Sequence, residues 1–181
     1  MRLRRLKEEM GDDLVIQWKA FPLRPEPDPS VAFKGTYREE GWRRCNAMAA
    51  GDGIAFTPWP RDDYPNWSLP ALETAKCVAL QGAEAFDRLH LRLYEAFFTR
   101  SINIAKPEEL VDVVRESGAD LTRFQSDWES GAAREAVLSD YQEALTRDSV
   151  RAIPTIIVEG GRRLTGLVDL PTYRKAIEEA Q

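Results

Sequence analysis

The chain has 181 residues, 43% hydrophobic and 30% charged, with a formal net charge of −5. That length supports one good core, or one domain carrying an insertion, and the acidic balance excludes the basic face of a nucleic-acid footprint. Two cysteines, Cys45 and Cys77, and one histidine, His90, are too few for a disulfide scaffold or a metal centre.

No run approaches the ~18 apolar residues of a membrane helix. Met1-Arg2-Leu3-Arg4-Arg5 is basic, but no apolar stretch follows, so it does not read as a signal peptide. The expectation is a cytoplasmic protein with reduced thiols and no membrane partner.

Leu3, Leu6 and Met10 share one helical face, and Gly11 is a good stop. This helix lacks a beginning. No Ser, Thr, Asp or Asn precedes it as a cap, and its first turn is cationic where the dipole favours acids. Leu14 to Ala20 starts apolar and then alternates, as a largely buried strand would. Four prolines between Phe21 and Pro29 end it and favour an extended connection. An architectural boundary falls near residue 30.

The middle of the chain reads as helical. One helix is expected over Arg38 to Ala50, another from the Ser68 cap, with Pro70 in its first turn, to about Gln81. Phe86, Leu89, Leu93 and Phe97 then recur on one face. Pro107 opens a helix that buries Leu110, Val111 and Val114 and stops at Gly118. Asp120 caps the next, with Leu121, Phe124 and Trp128 inward. A longer helix follows, with Ala133, Val137, Tyr141 and Leu145 on one face.

Then the period changes. Thr155 to Val158 and Arg162 to Gly166 read as two strands about a Gly160-Gly161 turn. Gly160-Gly161 is turn chemistry and lacks the pattern of a phosphate loop. Asp169 caps a last helix, with Pro171 in its first turn and Tyr173 and Ile177 inward.

Ile153-Pro154-Thr155 stands out. Proline cannot donate to a ladder and is confined to edges, bulges or strand starts. Here it opens a buried-looking strand. The other candidates read blandly. Cys45 and Cys77 are 32 positions apart, cannot form a Cys-x-x-Cys, and are expected to be buried structural thiols. A Cys45–Cys77 disulfide has no supporting pattern. His90, beside Leu89 on the amphipathic helix, fits a packing or surface role. Asp62-Asp63 and Glu178-Glu179 fit solvated acidic faces. Trp59, Tyr64 and Trp67 form an aromatic loop that either lines a groove or packs as core or lid.

The order of elements, with Trp18-Lys19-Ala20-Phe21-Pro22-Leu23-Arg24-Pro25, Ser68-Leu69-Pro70-Ala71-Leu72, Gln81-Gly82-Ala83-Glu84-Ala85-Phe86-Asp87, Leu93-Tyr94-Glu95-Ala96-Phe97-Phe98 and Ile153-Pro154-Thr155, resembles the DsbA-like thioredoxin-fold family, and within it the FrnE-like branch. The resemblance runs from about Arg2 to Ala180. It implies an α/β thioredoxin-like fold with an all-helical domain inserted between strands two and three. The thioredoxin-like domain would comprise residues 1–30 and 148–181, and the helical insertion residues 31–147.

On that resemblance Leu14–Ala20 is the second strand, and the hairpin is the third and fourth. The first strand, and the Cys-x-x-Cys that opens the first helix of redox-active members, would precede Met1. In the family's sheet the first strand lies between the second and third, so Leu14–Ala20 would lack a neighbour. Unsatisfied buried backbone groups cost ~1–3 kcal/mol each. The expectation is therefore that the natural protein begins upstream and that Met1 is internal. A remodelled sheet or a strand donated by a partner are the alternatives.

The resemblance also implies a cis Ile153–Pro154 bond and a substrate-binding role for Ile153, Pro154 and Thr155, with no catalytic residue and no metal ligand in this chain. The implied function is a thiol–disulfide oxidoreductase acting on a thiol- or disulfide-containing protein or a small thiol, without a cofactor. Two readings stand beside it. One is a glutathione-dependent isomerase or transferase similar to 2-hydroxychromene-2-carboxylate isomerase, with serine in place of the cysteine. The other is a non-catalytic thioredoxin-fold binding module.

Overall fold

A computed structural model describes residues 1–180. The chain divides into two compact units, one of residues 1–19 and 142–181, the other of residues 20–141. The chain passes between them at Lys19–Ala20 and within a single helix.

The smaller unit begins with α1 (Arg2–Met10), which has no side-chain cap and three arginines in its opening turns. Gly11 follows at φ 56°, and its N–H closes the helix on the Lys7 carbonyl. A short 3₁₀ turn, Gly11–Asp13, leads into the extended segment beyond Leu14.

Here the structure corrects the sequence reading. Leu14–Ala20 forms no strand; the sheet among the described residues has two strands only. The segment keeps the two-residue alternation, with Leu14, Ile16 and Trp18 half-buried and Val15, Gln17 and Lys19 exposed. The period survives because it belongs to the backbone. The ladder is absent because it needs a paired neighbour.

The two strands are β1 (Thr155–Ile157) and β2 (Arg163–Thr165), antiparallel, with Thr155 opposite Thr165 and Ile157 opposite Arg163. Gly160 and Gly161, at φ 85° and 89°, make the turn that a side chain would resist. The last helix, α8 (Leu170–Glu178), is capped by Asp169, whose carboxylate accepts from Thr172 N at 2.9 Å. Leu6 on α1, Leu164 on β2, and Tyr173 and Ala176 on α8 form the buried centre, with Ile156 and Val158 against it. Burial of each large side chain is worth roughly 1.5–3 kcal/mol.

The larger unit holds α2 (Tyr37–Met48), α3 (Leu69–Ala79), α4 (Ala83–Tyr94), α5 (Pro107–Ser117), α6 (Leu121–Glu129) and most of α7 (Ala132–Thr146). Its main core joins Cys77 and Val78 of α3, Leu89 of α4, Val113 and Val114 of α5 and Phe124 of α6. Asp120 caps α6 as expected, accepting from Arg123 N at 3.0 Å. Ser68 does not cap α3. Its Oγ accepts from Arg24 N at 3.1 Å while its own N–H donates to Arg24 O at 3.0 Å, which fastens the proline-rich connection to the start of α3.

The amphipathic helix also ends differently from its periodicity. Regular helix stops at Tyr94, and Glu95–Thr99 continues as a π turn. The wider turn lets Phe97 and Phe98 both reach one aromatic cluster while Ala96 stays fully buried in the core. π turns are rare and occur mostly as single-turn insertions in α-helices.

Candidate functional site

Ile153, Pro154 and Thr155 lie at the entrance of β1, in the smaller unit. The Ile153–Pro154 peptide bond is cis. The Pro154 carbonyl accepts from Gly166 N at 2.8 Å, and Val158 N donates to Arg162 O at 2.9 Å. Backbone groups alternate sides along a strand. Those of 154, 156 and 158 therefore face β2, and those of Thr155 and Ile157 face the other edge. No strand among the described residues pairs with that edge.

Side chains leave the edge approachable. Ile153 is 43% exposed, as is Ile157. Thr155 Oγ1 donates to Ala152 O at 2.6 Å and lies 3.5 Å from Thr165 Oγ1, which fixes the strand's first residue. β1 is thus a half-buried edge strand, where the sequence suggested a buried one. Pro154 sits at its start, where a missing donor costs nothing.

The thiols lie elsewhere. Cys45 and Cys77 are both free, and both belong to the larger unit. Cys77 is fully buried on α3. Burial, reinforced by the nearby charges of Asp127 and Glu73, pushes its thiol up to about 12. A thiol that stays protonated is a poor nucleophile. Cys45 overturns the expectation of two buried thiols, since it is exposed on α2. Most of α2 faces water around it, with Trp42 as the helix's one buried residue.

His90 packs between Phe86 and Tyr94, at 5.0 and 4.9 Å. Among the described residues no group of three or more His, Cys, Asp or Glu side chains is placed to hold a metal ion. Among the described residues no helix is long and apolar enough to cross a membrane.

The acidic pairs are not uniformly solvated. Asp62 is exposed and meets Lys34 at 2.8 Å. Asp63 instead joins a network. Arg61 bridges Asp63 at 2.5 Å and Glu109 at 2.7 Å, Lys106 reaches Asp63 at 2.7 Å, and Asn103 donates to the Asp63 carbonyl at 2.5 Å. Hydrogen bonds from Arg61 above all, then from Lys106, hold the Asp63 carboxyl well below its ordinary range. Arg61 does the same for Glu109. Glu179, at the other acidic pair, meets Arg162 and Lys175.

The aromatic loop is core. Trp59 is 2% exposed and edge-on to Tyr64 at 5.2 Å. Trp67 packs beside Leu69 and Val137 and donates from Nε1 to Pro25 O at 2.9 Å. Trp42, which the sequence reading did not single out, is the hub of this cluster. Its place depends on rings from α2, two loops and the π turn, which no local pattern links.

The description "DSBA-like thioredoxin domain" matches residues 1–178. The chain belongs to the DSBA-like thioredoxin family. This is a family of thiol–disulfide oxidoreductase type, with an α/β thioredoxin-like fold carrying a helical insertion. The DSBA-like chain is 26% identical over 180 residues to the uncharacterized protein YwbO of Bacillus subtilis, covering 94% of this chain and 84% of that one. It is 28% identical over 127 residues to the ClpXP adapter protein SpxH of Halalkalibacterium halodurans, covering 67% of this chain and 41% of that protein. In fold it is similar to the crystal structure of a "putative protein disulfide isomerase" from Nitrosomonas europaea, with a TM-score of 0.77 and 18% identity over 98% of this chain and 87% of that one.

Proposed function

We propose that this chain carries the substrate-binding wall of a FrnE-like thiol–disulfide oxidoreductase. In this reading Ile153, Pro154 and Thr155 receive an extended thiol- or disulfide-containing segment, and these 181 residues lack the catalytic dithiol. The exposed Ile153 and Pro154, at the entrance of β1 and ahead of its first paired residue, carry the proposal. An extended peptide pairs with exposed main-chain donors and acceptors, and side-chain pockets set its specificity.

Neither cysteine of the chain suits the reaction. Cys77 is buried with its thiol pushed up to about 12, and Cys45 stands on α2 with no second thiol at Cys-x-x-Cys spacing. The reading requires no cofactor. It places the protein in the cytoplasm, where both free thiols remain reduced.

The encoded sequence ahead of Met1 tests the proposal. An in-frame strand followed by Cys-x-x-Cys supports it. Serine in that place, with measurable glutathione binding, turns the reading to an isomerase or transferase similar to 2-hydroxychromene-2-carboxylate isomerase. A non-catalytic binding module is the second reading, favoured by the relative named as a ClpXP adapter. It gains if no in-frame thiol segment is encoded.

A further inference from the structure

Arg24 and Arg38 are both half-buried, and neither guanidinium meets a carboxylate within ion-pair distance among the described residues. Arg24 belongs to the proline-rich connection, whose backbone is fastened to Ser68 through Arg24 and to Asn66 O through Asp28 N, at 3.0 Å. Arg38 lies on α2. Its guanidinium is 4.7 Å from the centre of the Tyr37 ring and 6.0 Å from that of Tyr64, and one of its donors goes to Ala32 O at 3.0 Å.

The two cations converge on one small region. Of the charges near the Tyr64 hydroxyl, those of Arg24 and Arg38 act on it most strongly, and both also act on the Asp28 carboxylate. Asp28 is held first by its own turn, where Oδ1 accepts from Ser30 N at 2.9 Å and from Ser30 Oγ at 2.6 Å. Two guanidinium charges against one carboxylate leave an excess of one positive charge. The half-buried Tyr64 hydroxyl accepts from the Trp42 indole, and its own proton has no acceptor among the described residues. Burial pushes that hydroxyl up, so it stays a donor at neutral pH.

We propose that Arg24, Arg38 and Tyr64 bind the carboxylate of a small apolar monocarboxylic acid. A half-buried cation has given up part of its hydration, and an anion restores the lost bonds. The guanidinium fork matches the two oxygens of a carboxylate, and charge-assisted hydrogen bonds are the strong ones. A single excess charge is balanced by a monoanion. Tyr37, 75% exposed beside Arg38, offers the body of the acid an apolar surface. All four side chains belong to the larger unit, and their binding is independent of any role of Ile153-Pro154-Thr155.

Benzoate is the probe, and benzamide, of similar shape without the charge, is the control. Each is titrated into the full chain, labelled with ¹⁵N, at one ionic strength set with sodium chloride. The Arg24 and Arg38 Nε–H and the Trp42 indole N–H are followed, each signal identified by its loss in an Arg24→Gln, Arg38→Gln or Trp42→Phe spectrum. Benzoate should shift all three saturably with one midpoint, and benzamide should not. Arg24→Gln should weaken benzoate binding by about tenfold, the scale of one charge-assisted hydrogen bond. Equal binding of benzamide would show an apolar contact only and overturn the proposal. So would undiminished binding by Arg24→Gln, or the absence of a shared saturable shift. The benzamide comparison uses unaltered protein, so it decides even if a variant folds poorly.

Discussion

Asp140 Oδ2 accepts the Ala20 backbone N–H at 2.8 Å. The same oxygen takes Lys76 Nζ at 2.6 Å. One carboxylate on α7 thereby ties the first residue of the larger unit to nearly its last, and both to α3. Ala20 and Asp140 are each 8% exposed, so little water is available to replace either bond. Phe21 packs edge-on to Tyr141 at 5.0 Å beside them.

Removing that carboxylate should be costly. Asp140→Ala leaves the Ala20 N–H unsatisfied and Lys76 without its partner. We expect a loss of about 2–4 kcal/mol by urea unfolding. Asp140→Asn keeps an acceptor for Ala20 and should lose about half as much. Equal stability of the alanine variant and the parent would refute the tie.

The Arg61–Asp63–Glu109 network predicts a pH dependence. Both carboxyls are held below their ordinary values, chiefly by Arg61. Their contribution is therefore complete above the unfolded carboxylate range near pH ~4 and is lost as pH falls toward the folded values. Solvent reaches these side chains, so the effect should be about 1 kcal/mol. Asp63→Asn should lower unfolding stability by more at pH 7 than at pH 2, where part of the contribution is already lost. A deficit of the same size at both pH values would contradict this.

Thiol reactivity should separate the two cysteines. Cys45 is open to solvent, while Cys77 is enclosed and its thiol is pushed up to about 12. A chromogenic disulfide reagent should modify one thiol quickly in the native protein and the second only on denaturation. Mass mapping should place the fast label on Cys45. Rapid native labelling of Cys77 would overturn its assignment as core.

The hairpin turn offers a local test. Gly161 stands at φ 89° with open space around it, so an added Cβ meets backbone strain and no neighbour. Gly161→Ala should cost about 1–2 kcal/mol. An unchanged unfolding midpoint would mean that the turn relaxes.

These tests touch features of unequal legibility. The caps Asp120 and Asp169 and the Gly160-Gly161 hairpin were readable because each is a short-range device whose residue types determine its geometry. Leu14–Ala20 showed the strand period in sequence, yet pairing is a property of a neighbour, and sequence alternation cannot supply one. The π turn was invisible because Phe97 continues the regular spacing of Leu89 and Leu93. Ser68 was a plausible cap that a distant backbone, Arg24, claimed instead. Asp140 gave no signal, since its partner Ala20 lies 120 positions away. Asp63 read as a solvated pair because the network that holds its neighbour Arg61 is completed by Glu109 and Lys106, more than 40 positions on. The Ile153-Pro154-Thr155 motif was legible through its place directly before a strand, whereas the open edge beside it required the register of β1 and β2.

The proposed role of Ile153 is separable from folding, because its side chain is 43% exposed. In a form of the protein that carries the thiol segment, Ile153→Asp should lower kcat/KM for insulin by about tenfold, the scale of one lost apolar contact. Reduction by a small dithiol should be unaffected. An equal loss with both would assign Ile153 to the fold instead of the substrate.

The most direct test of the account is insulin reduction by the 181-residue chain itself, with dithiothreitol as electron donor. With Cys77 enclosed and Cys45 alone on α2, the chain should give the rate of dithiothreitol alone, and Cys45→Ser should change nothing. Turnover above that background would contradict the account and show that these two thiols suffice for dithiol chemistry.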